Sequence, residues 1–130
     1  MSSQQPKATD EAVATARAAA EAISDKNGED IRILDVSGLL VVTDLFLIAS
    51  GTSTRHVKSL AEDAAHALRA IDRKPIRREG FEHGEWVLLD YGDVVIHVFE
   101  RETREYYDLE RLWADAPRIA FEPSSTAVDS

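Results

Sequence analysis

The sequence contains no cysteine. This absence excludes a disulfide framework, a thiolate zinc site and a cysteine nucleophile, and it is compatible with a reducing compartment. The chain also has no hydrophobic run of membrane-spanning length, and its first seven residues lack the apolar segment of a secretory signal. We therefore expect a soluble, cytoplasmic protein with no membrane partner.

Basic residues are scarce, with 15 Lys and Arg against 24 Asp and Glu and a net charge of −9. A phosphate backbone would repel such a chain, so direct nucleic-acid contact is not expected to dominate. The length of 130 residues and the 44% hydrophobic content predict one domain with one core. We expect a flexible N-terminus over 1–7, the domain over 8–116 and a disordered tail over 117–130.

The most informative pattern is a pair of β-rich runs, 86–91 and 94–99, separated by Gly92 and Asp93. Glycine adopts φ > 0 at the first turn position without strain, so this pair predicts a two-residue β-hairpin. The turn would place Trp86 opposite Phe99 and Leu88 opposite His97. Because side chains alternate along a strand, the two sides of the hairpin differ.

One predicted face of the hairpin is almost wholly apolar and requires a cover of helices. It carries Val87, Leu89, Tyr91, Val94, Ile96 and Val98. The other face mixes aromatic rings with a carboxylate and an imidazole, and it carries Trp86, Leu88, Asp90, Val95, His97 and Phe99. We interpret this mixed face as a binding surface. A second interpretation stays open, in which Trp86 and Phe99 are core aromatics beneath another layer.

Three helices and three more strands complete the predicted fold. Apolar residues recur at helical spacing over 8–26, from the Ser53 N-cap to residue 71, and over 103–116, where Tyr106, Leu109, Leu112 and Trp113 share one side. Strands are predicted at 31–36 and 44–50, with an edge strand at 76–79; the run 39–44 is ambiguous between strand and connector. The order α-β-β-α-β-β-β-α predicts an α/β domain with a mixed five-stranded sheet and helices mainly on one face.

The turn from Gly51 to His56 links a predicted strand to a helix, so its backbone N–H groups are candidates for holding a phosphate. It matches neither the phosphate-loop pattern nor the dinucleotide fingerprint. A nucleotidyltransferase would also need paired carboxylates for magnesium, and neither hairpin strand carries an Asp-x-Asp or Asp-x-Glu pair. We favour an N-capped strand-to-helix turn.

The four histidines show no i, i+4 metal spacing. His97 is diagonal to Asp90 on the mixed face, but no nucleophile or metal accompanies this pair, so we interpret His97 as a structural or interface residue. The basic cluster at 73–78 is expected to be a solvated edge strand, with a phosphate contact as the alternative. No catalytic residue, metal or cofactor is predicted.

Four segments, in this order, resemble the ribosomal silencing factor family, also called the Iojap family. They are Asp44 with its buried strand, Gly51 to Val57, Trp86 to Phe99 and Tyr107 to Trp113. The resemblance spans roughly residues 12 to 116. It implies a homodimeric α/β domain related in fold to nucleotidyltransferases but without their catalytic acids. It also implies binding to the fourteenth protein of the large ribosomal subunit, which would block joining of the small subunit and lower translation when nutrients are scarce.

The resemblance also implies where a partner binds. The family's tryptophan-bearing strand falls on Trp86, and Asp90, His97 and Tyr107 occupy matching positions. We expect Trp86 to be the anchor, and we expect Leu88 and Phe99 to pack around it. Two other hypotheses stay open: a nucleotidyltransferase-class enzyme that uses the Gly51 to His56 turn, and a plain dimerisation module whose subunit interface is the mixed face.

Overall fold

The structure of the chain is a computed structural model that describes residues 7–40 and 42–123. In chain order, its helices and strands are α1 (Asp10–Asp25), β1 (Glu29–Asp35), β2 (Leu45–Gly51), α2 (Thr54–Ala70), β3 (Arg77–Glu79), β4 (Trp86–Asp90), β5 (Val94–Glu100), α3 (Arg101–Tyr107), α4 (Leu109–Leu112) and β6 (Arg118–Ile119). The α/β class and the mixed sheet predicted from the sequence are confirmed.

The strands form one sheet in the order β3-β4-β5-β2-β1-β6. The central strands β2 and β5 are parallel, and every other neighbouring pair is antiparallel. The predicted hairpin register is confirmed, with Trp86 paired to Phe99 and Leu88 to His97. The edge position of β3 is also confirmed, and its three residues are exposed.

The two long helices cover one face of the sheet, which we call the inner face. Small side chains of α1, among them Ala12, Ala16 and Ala19, are fully buried in one cluster with α2 and with the central strands. Because alanine is small, α1 can lie close to its neighbours, and the larger residues of the strands fill the remaining space. Leu47, Leu89 and Ile96 are among the fully buried side chains of this cluster.

Local hydrogen bonds explain where the two long helices begin. Thr9 accepts a hydrogen bond from the backbone N–H of Ala12 at 3.0 Å, and Ser53 accepts one from His56 at 3.1 Å. Each oxygen satisfies a donor that has no partner within its helix. The predicted N-cap at Ser53 is therefore confirmed, and α2 ends at Ala70, just before Asp72 adopts a φ of 68°.

The predicted single helix over 103–116 is wrong. The segment forms two short helices, α3 and α4, which are separated by Asp108 with a φ of 48°. The left-handed backbone at Asp108 interrupts the helix, although the apolar spacing continues through it. As a result Tyr106 and Leu112, which were predicted to share one side with Leu109 and Trp113, are 81% and 74% exposed.

The sheet has six strands rather than the predicted five, because Arg118 and Ile119 pair with β1. The predicted disordered tail over 117–130 is therefore wrong at this strand. The Pro117 carbonyl also accepts a hydrogen bond from Asp35 at 2.7 Å, and Phe121 packs against the inner core. Most of the predicted flexible N-terminus and the end of the tail, 1–6 and 124–130, lie outside the described residues.

Candidate partner-binding surface

The face of the sheet opposite α1 and α2, which we call the outer face, is organised around Trp86. The Trp86 ring lies 4.8 Å from the Phe99 ring, 5.0 Å from the Tyr107 ring and 6.0 Å from the His97 ring, measured between centroids. Strands β4 and β5 supply three of these rings through their paired register, and the end of α3 supplies Tyr107. Trp86 is half-buried, so part of its ring faces solvent above a packed base.

His97 is the polar part of that base. Its Nδ1 accepts a hydrogen bond from Trp86 Nε1 at 3.1 Å, which assigns the ring proton of the neutral imidazole to Nε2. His97 is only 5% exposed. Burial lowers its pKa to about 4, against the opposing effect of the Asp90 charge. A neutral imidazole that orients the indole fits the structural interpretation of His97.

Asp90 forms its hydrogen bonds with Gly92 and Arg77 and not with His97. Its carboxylate accepts a hydrogen bond from the backbone N–H of Gly92 at 2.8 Å and pairs with Arg77 at 3.0 Å. The first contact closes the turn, where Gly92 has a φ of 89°, and the second ties β3 to β4. The carboxylate therefore holds the strands that carry Trp86.

The six predicted site residues separate into a buried and an accessible group. Phe99 is fully buried and His97 nearly so, and both belong to the support of the surface. Trp86, Leu88 and Asp90 are half-buried, while Tyr107 is 53% exposed. The open interpretation of Phe99 as a core aromatic is thus confirmed for that residue. Phe99 belongs to the outer cluster with Phe46 and Ile48, and Leu109 and Trp113 pack against that cluster.

Two residues of this region were missed by the sequence analysis. Tyr106 is 81% exposed and meets Tyr107 edge to face at 5.0 Å, so it extends the accessible aromatic area. We call Trp86, Leu88, Tyr106 and Tyr107 the docking surface. The sequence predicts that Tyr106 shares one side of a continuous helix with Leu109 and Trp113, but the helix that carries Tyr106 ends at Tyr107, before the break at Asp108.

The second missed residue is Arg104, which holds α3 and α4 against the sheet. Its guanidinium group is 7% exposed and donates to Ser50 Oγ at 2.7 Å, to the Asp30 carbonyl at 2.8 Å and to both carboxylate oxygens of Glu110 at 3.0 Å. These partners come from β2, from β1 and from α4. The guanidinium group of Arg104 has five N–H donors in one rigid plane, which suits this set of acceptors. Its hydrogen bonds hold the helix that carries Tyr107, three residues further on.

The turn from Gly51 to His56 uses its own backbone donors. The Thr52 N–H donates to His56 Nδ1 at 2.9 Å, and the His56 N–H donates to Ser53 Oγ. A Cβ added at Gly51 would lie 3.0 Å from Val57 Cγ2 and 3.1 Å from the Val57 nitrogen, so the glycine serves close packing. This geometry fits the favoured strand-to-helix turn.

The three arginines of the basic cluster at 73–78 pair with carboxylates. Arg73 pairs with Asp93 at 2.7 Å, Arg77 with Asp90 and Arg78 with Glu62 at 2.7 Å. These pairs fit the interpretation of a solvated edge strand. Within 7–40 and 42–123, no group of three or more His, Cys, Asp or Glu side chains is placed to hold a metal ion. In the same residues, no helix is long and apolar enough to cross a membrane.

Comparison with known proteins identifies the family. Residues 9–130 match the family described as "Ribosomal silencing factor during starvation". The ribosomal silencing factor of Bacillus subtilis is 44% identical over 99 residues, which cover 76% of this chain and 84% of that protein. A mouse protein named for mitochondrial assembly of the ribosomal large subunit is 34% identical over 94 residues, covering 70% of this chain and 41% of that protein.

A solved structure agrees with the sequence matches. The crystal structure of a protein from Chromobacterium violaceum superimposes with a TM-score of 0.77 at 39% sequence identity, and the match covers 84% of this chain and 90% of that one. The resemblance noted in the sequence is thereby confirmed, and this chain belongs to the ribosomal silencing factor family.

Proposed function

We propose that this protein binds the large ribosomal subunit through its fourteenth protein and sterically blocks joining of the small subunit. Translation is thereby repressed when nutrients are limiting, and the protein acts in the cytoplasm as a regulator without catalytic activity. Membership of the family supports this proposal. The name of the mouse relative, which refers to assembly of the ribosomal large subunit, supports the choice of subunit.

The observation that carries the proposal is an accessible aromatic surface on a rigid base. Trp86 is fixed from below by Phe99 and His97 and from the side by Tyr107, so its ring is oriented before any partner arrives. A fixed aromatic side chain loses little conformational freedom on binding, which favours its use as an interface anchor. Steric exclusion needs only such an occupied surface, because no bond is made or broken.

The proposed partner-binding residues have two roles. Trp86, Leu88 and Tyr107 contact the partner, whereas His97 and Phe99 support Trp86 from within the outer cluster. Asp90 keeps the hairpin strands in place through Gly92 and Arg77. The docking surface is therefore distributed over β4 and the end of α3.

Trp86→Glu tests this assignment by co-sedimentation with isolated large ribosomal subunits. We expect a loss of partner affinity of about 2 kcal/mol or more, the scale of a central interface residue. Tyr107→Glu alters the same surface without removing the hydrogen bond to His97, and it is expected to weaken binding as well. Ile71→Glu is the matched control, because Ile71 is 49% exposed at the end of α2, beyond the inner face.

Circular dichroism establishes whether each variant is folded. Unchanged binding by folded Trp86→Glu and Tyr107→Glu would rule out the docking surface as the ribosome contact.

We also propose that the protein is a homodimer, as its family resemblance implies. If Trp86→Glu converts a dimer to a monomer on size exclusion while ribosome binding is unchanged, the surface is a subunit interface instead.

A further inference from the structure

A cavity beside the docking surface combines three carboxylates with two phenol rings. It has a volume of about 400 Å³, and its lining residues are Glu85, Glu100, Glu102, Thr103, Tyr106 and Tyr107. Tyr107 also contacts the Trp86 ring at 5.0 Å. The cavity is therefore continuous with the proposed anchor of the partner.

Several carboxylates of the described residues pair with arginine, whereas the glutamates of this cavity do not. Such pairs are Glu29 with Arg101, Glu62 with Arg78, Asp90 with Arg77, Asp93 with Arg73 and Glu110 with Arg104. Within the described residues, neither Glu85 nor Glu102 pairs with a lysine or arginine, and the Glu100 carboxylate accepts the Thr103 hydroxyl at 3.5 Å. The negative charge of this cavity is thus not neutralised by the fold.

Uncompensated carboxylates beside exposed phenol rings have a defined binding preference. The face of an aromatic ring attracts a cation, and a carboxylate forms stronger hydrogen bonds with a charged donor than with a neutral one. Tyr106 supplies an exposed ring, and Glu85 and Glu102 are exposed acceptors. The same charges repel phosphate, which disfavours nucleic acid or an anionic membrane as the occupant.

We propose that this cavity receives a cationic side chain, arginine or lysine, from a basic protein segment that docks on Trp86. The cation lies against Tyr106 and Tyr107, and Glu85, Glu100 and Glu102 accept its hydrogen bonds. The proposal rests on the proposed function and deepens it, because it specifies the chemistry of the partner next to the anchor. Charge complementarity at this rim accelerates association as well as orienting the partner.

A charge-matched pair of variants tests the proposal on the full chain. Glu85→Gln with Glu102→Gln removes two negative charges at the cavity, and Glu11→Gln with Asp25→Asn removes two on exposed positions of α1, across the sheet. We expect the cavity variant to bind isolated large ribosomal subunits about tenfold more weakly, chiefly through a slower association rate. The α1 variant should differ from the wild-type protein by less than about twofold, since its charges are remote.

A small-molecule titration examines the cavity without the ribosome. N-acetylarginine amide or N-acetyllysine amide, at millimolar concentration, should shift the backbone amide resonances of Tyr106 and Tyr107. The neutral isostere N-acetylcitrulline amide should not shift them. The shifts should be reduced in the variant with Glu85→Gln and Glu102→Gln.

The outcomes separate this inference from the proposed function. If Trp86→Glu weakens subunit binding and the cavity variant does not, the cationic site is overturned and the proposed function stands. Equal losses in the cavity and α1 variants would also overturn it, because net charge alone would explain them. If the wild-type protein does not bind large subunits, the proposed function fails. The titration then decides the cavity alone: selective shifts with the cationic amides support the site, and their absence overturns it.

Discussion

The inner and outer faces of the sheet are covered in different ways. Two long helices seal the inner face, whose side chains in β2, β4 and β5 are apolar and almost completely buried. The outer face lies under two short helices and part of the loop between β1 and β2, and its packing includes His97, Trp86 and Trp113. Among the described residues, His97 Nε2 and Trp113 Nε1 are buried donors without a hydrogen-bond partner.

This difference separates stability from recognition. The inner face buries apolar area and leaves little that a partner can reach, so its residues chiefly determine the free energy of unfolding. The outer face keeps aromatic area accessible and depends on polar contacts, among them the corner made by Arg104, to hold that area in place. Substitutions on opposite faces of the same strands should therefore affect different measurements.

Neighbouring leucines of β4 provide the largest contrast in stability. Leu89 is fully buried on the inner face, and Leu88 is half-buried on the outer face. We expect Leu89→Ala to lower the free energy of unfolding by about 4 kcal/mol, because it removes buried methyl groups and leaves a cavity. Leu88→Ala should cost about 1 kcal/mol, since less apolar area is lost.

Urea unfolding measures the free energy of unfolding of both variants. Co-sedimentation with large ribosomal subunits measures their partner affinity, for which the opposite order is expected. Leu88→Ala is expected to weaken partner binding more than Leu89→Ala does, provided that both variants are folded under the assay conditions. Equal destabilisation by the two substitutions would contradict the proposed division between the faces.

Arg104 is the second test, because it connects the outer cover to the sheet. Arg104→Ala removes a guanidinium group that donates to Ser50, Glu110 and the Asp30 carbonyl, and it leaves the partly buried Glu110 carboxylate with only its longer pair to Arg32, at 3.6 Å. We expect a loss of about 3 kcal/mol in the free energy of unfolding. Tyr107 should also lose its fixed position beside Trp86, so partner affinity should fall with it.

Arg101→Ala is the matched control for Arg104→Ala. Arg101 begins the same helix and pairs with Glu29, but its side chain is 59% exposed, so solvent screens that pair. A clearly smaller change in urea unfolding is expected. If the two arginine variants lose the same stability, the buried corner does not hold α3 and α4.

The sequence predicts the inner half of the fold better than the outer half, for a physical reason. The Gly92 turn, the β4 and β5 register and the Ser53 cap depend on neighbouring residues, and all three are confirmed. The short helices on either side of Asp108 are tied to the sheet by Arg104, whose partners Asp30 and Ser50 are 74 and 54 positions away along the chain. A contact between residues so far apart in the chain leaves no periodic pattern in the sequence from which it could be predicted.

Local sequence patterns are also insufficient to predict which residues of the docking surface are accessible. The alternation of β4 and β5 placed Trp86, Leu88, Asp90, His97 and Phe99 on one face, but it did not indicate which of them are covered. Part of the cover over the outer cluster comes from Leu109 in α4 and from Trp113 beside it, which follow the break at Asp108. The helical spacing likewise predicts one common side for Tyr106, Leu109 and Trp113, and it does not indicate that Tyr106 is exposed.

Acidification should destabilise the outer face through His97, by an amount that approaches the Arg104 effect only near pH 4 and is smaller at every higher pH. Burial lowers the pKa of His97 from 6.5 to about 4 in the folded protein, so the unfolded chain binds the proton first as the pH falls. Between pH 6.5 and 4 the free energy of unfolding should therefore decrease with falling pH, by up to about 3 kcal/mol from this residue. Above pH 6.5 the contribution is fully present, because His97 is neutral in both states.

The comparison that isolates this contribution is wild type against His97→Gln. The glutamine side chain retains an acceptor for Trp86 Nε1 but does not titrate, and the carboxylates of both proteins respond to acid alike. Urea unfolding at several pH values should give a steeper acid loss for the wild-type protein, and the His97 ring resonances should titrate near pH 4. Parallel pH profiles for the two proteins, or a His97 titration near 6.5, would contradict a buried imidazole on the outer face. In that case the cover formed by α4 would be open in solution, and His97 would belong to the accessible part of the docking surface.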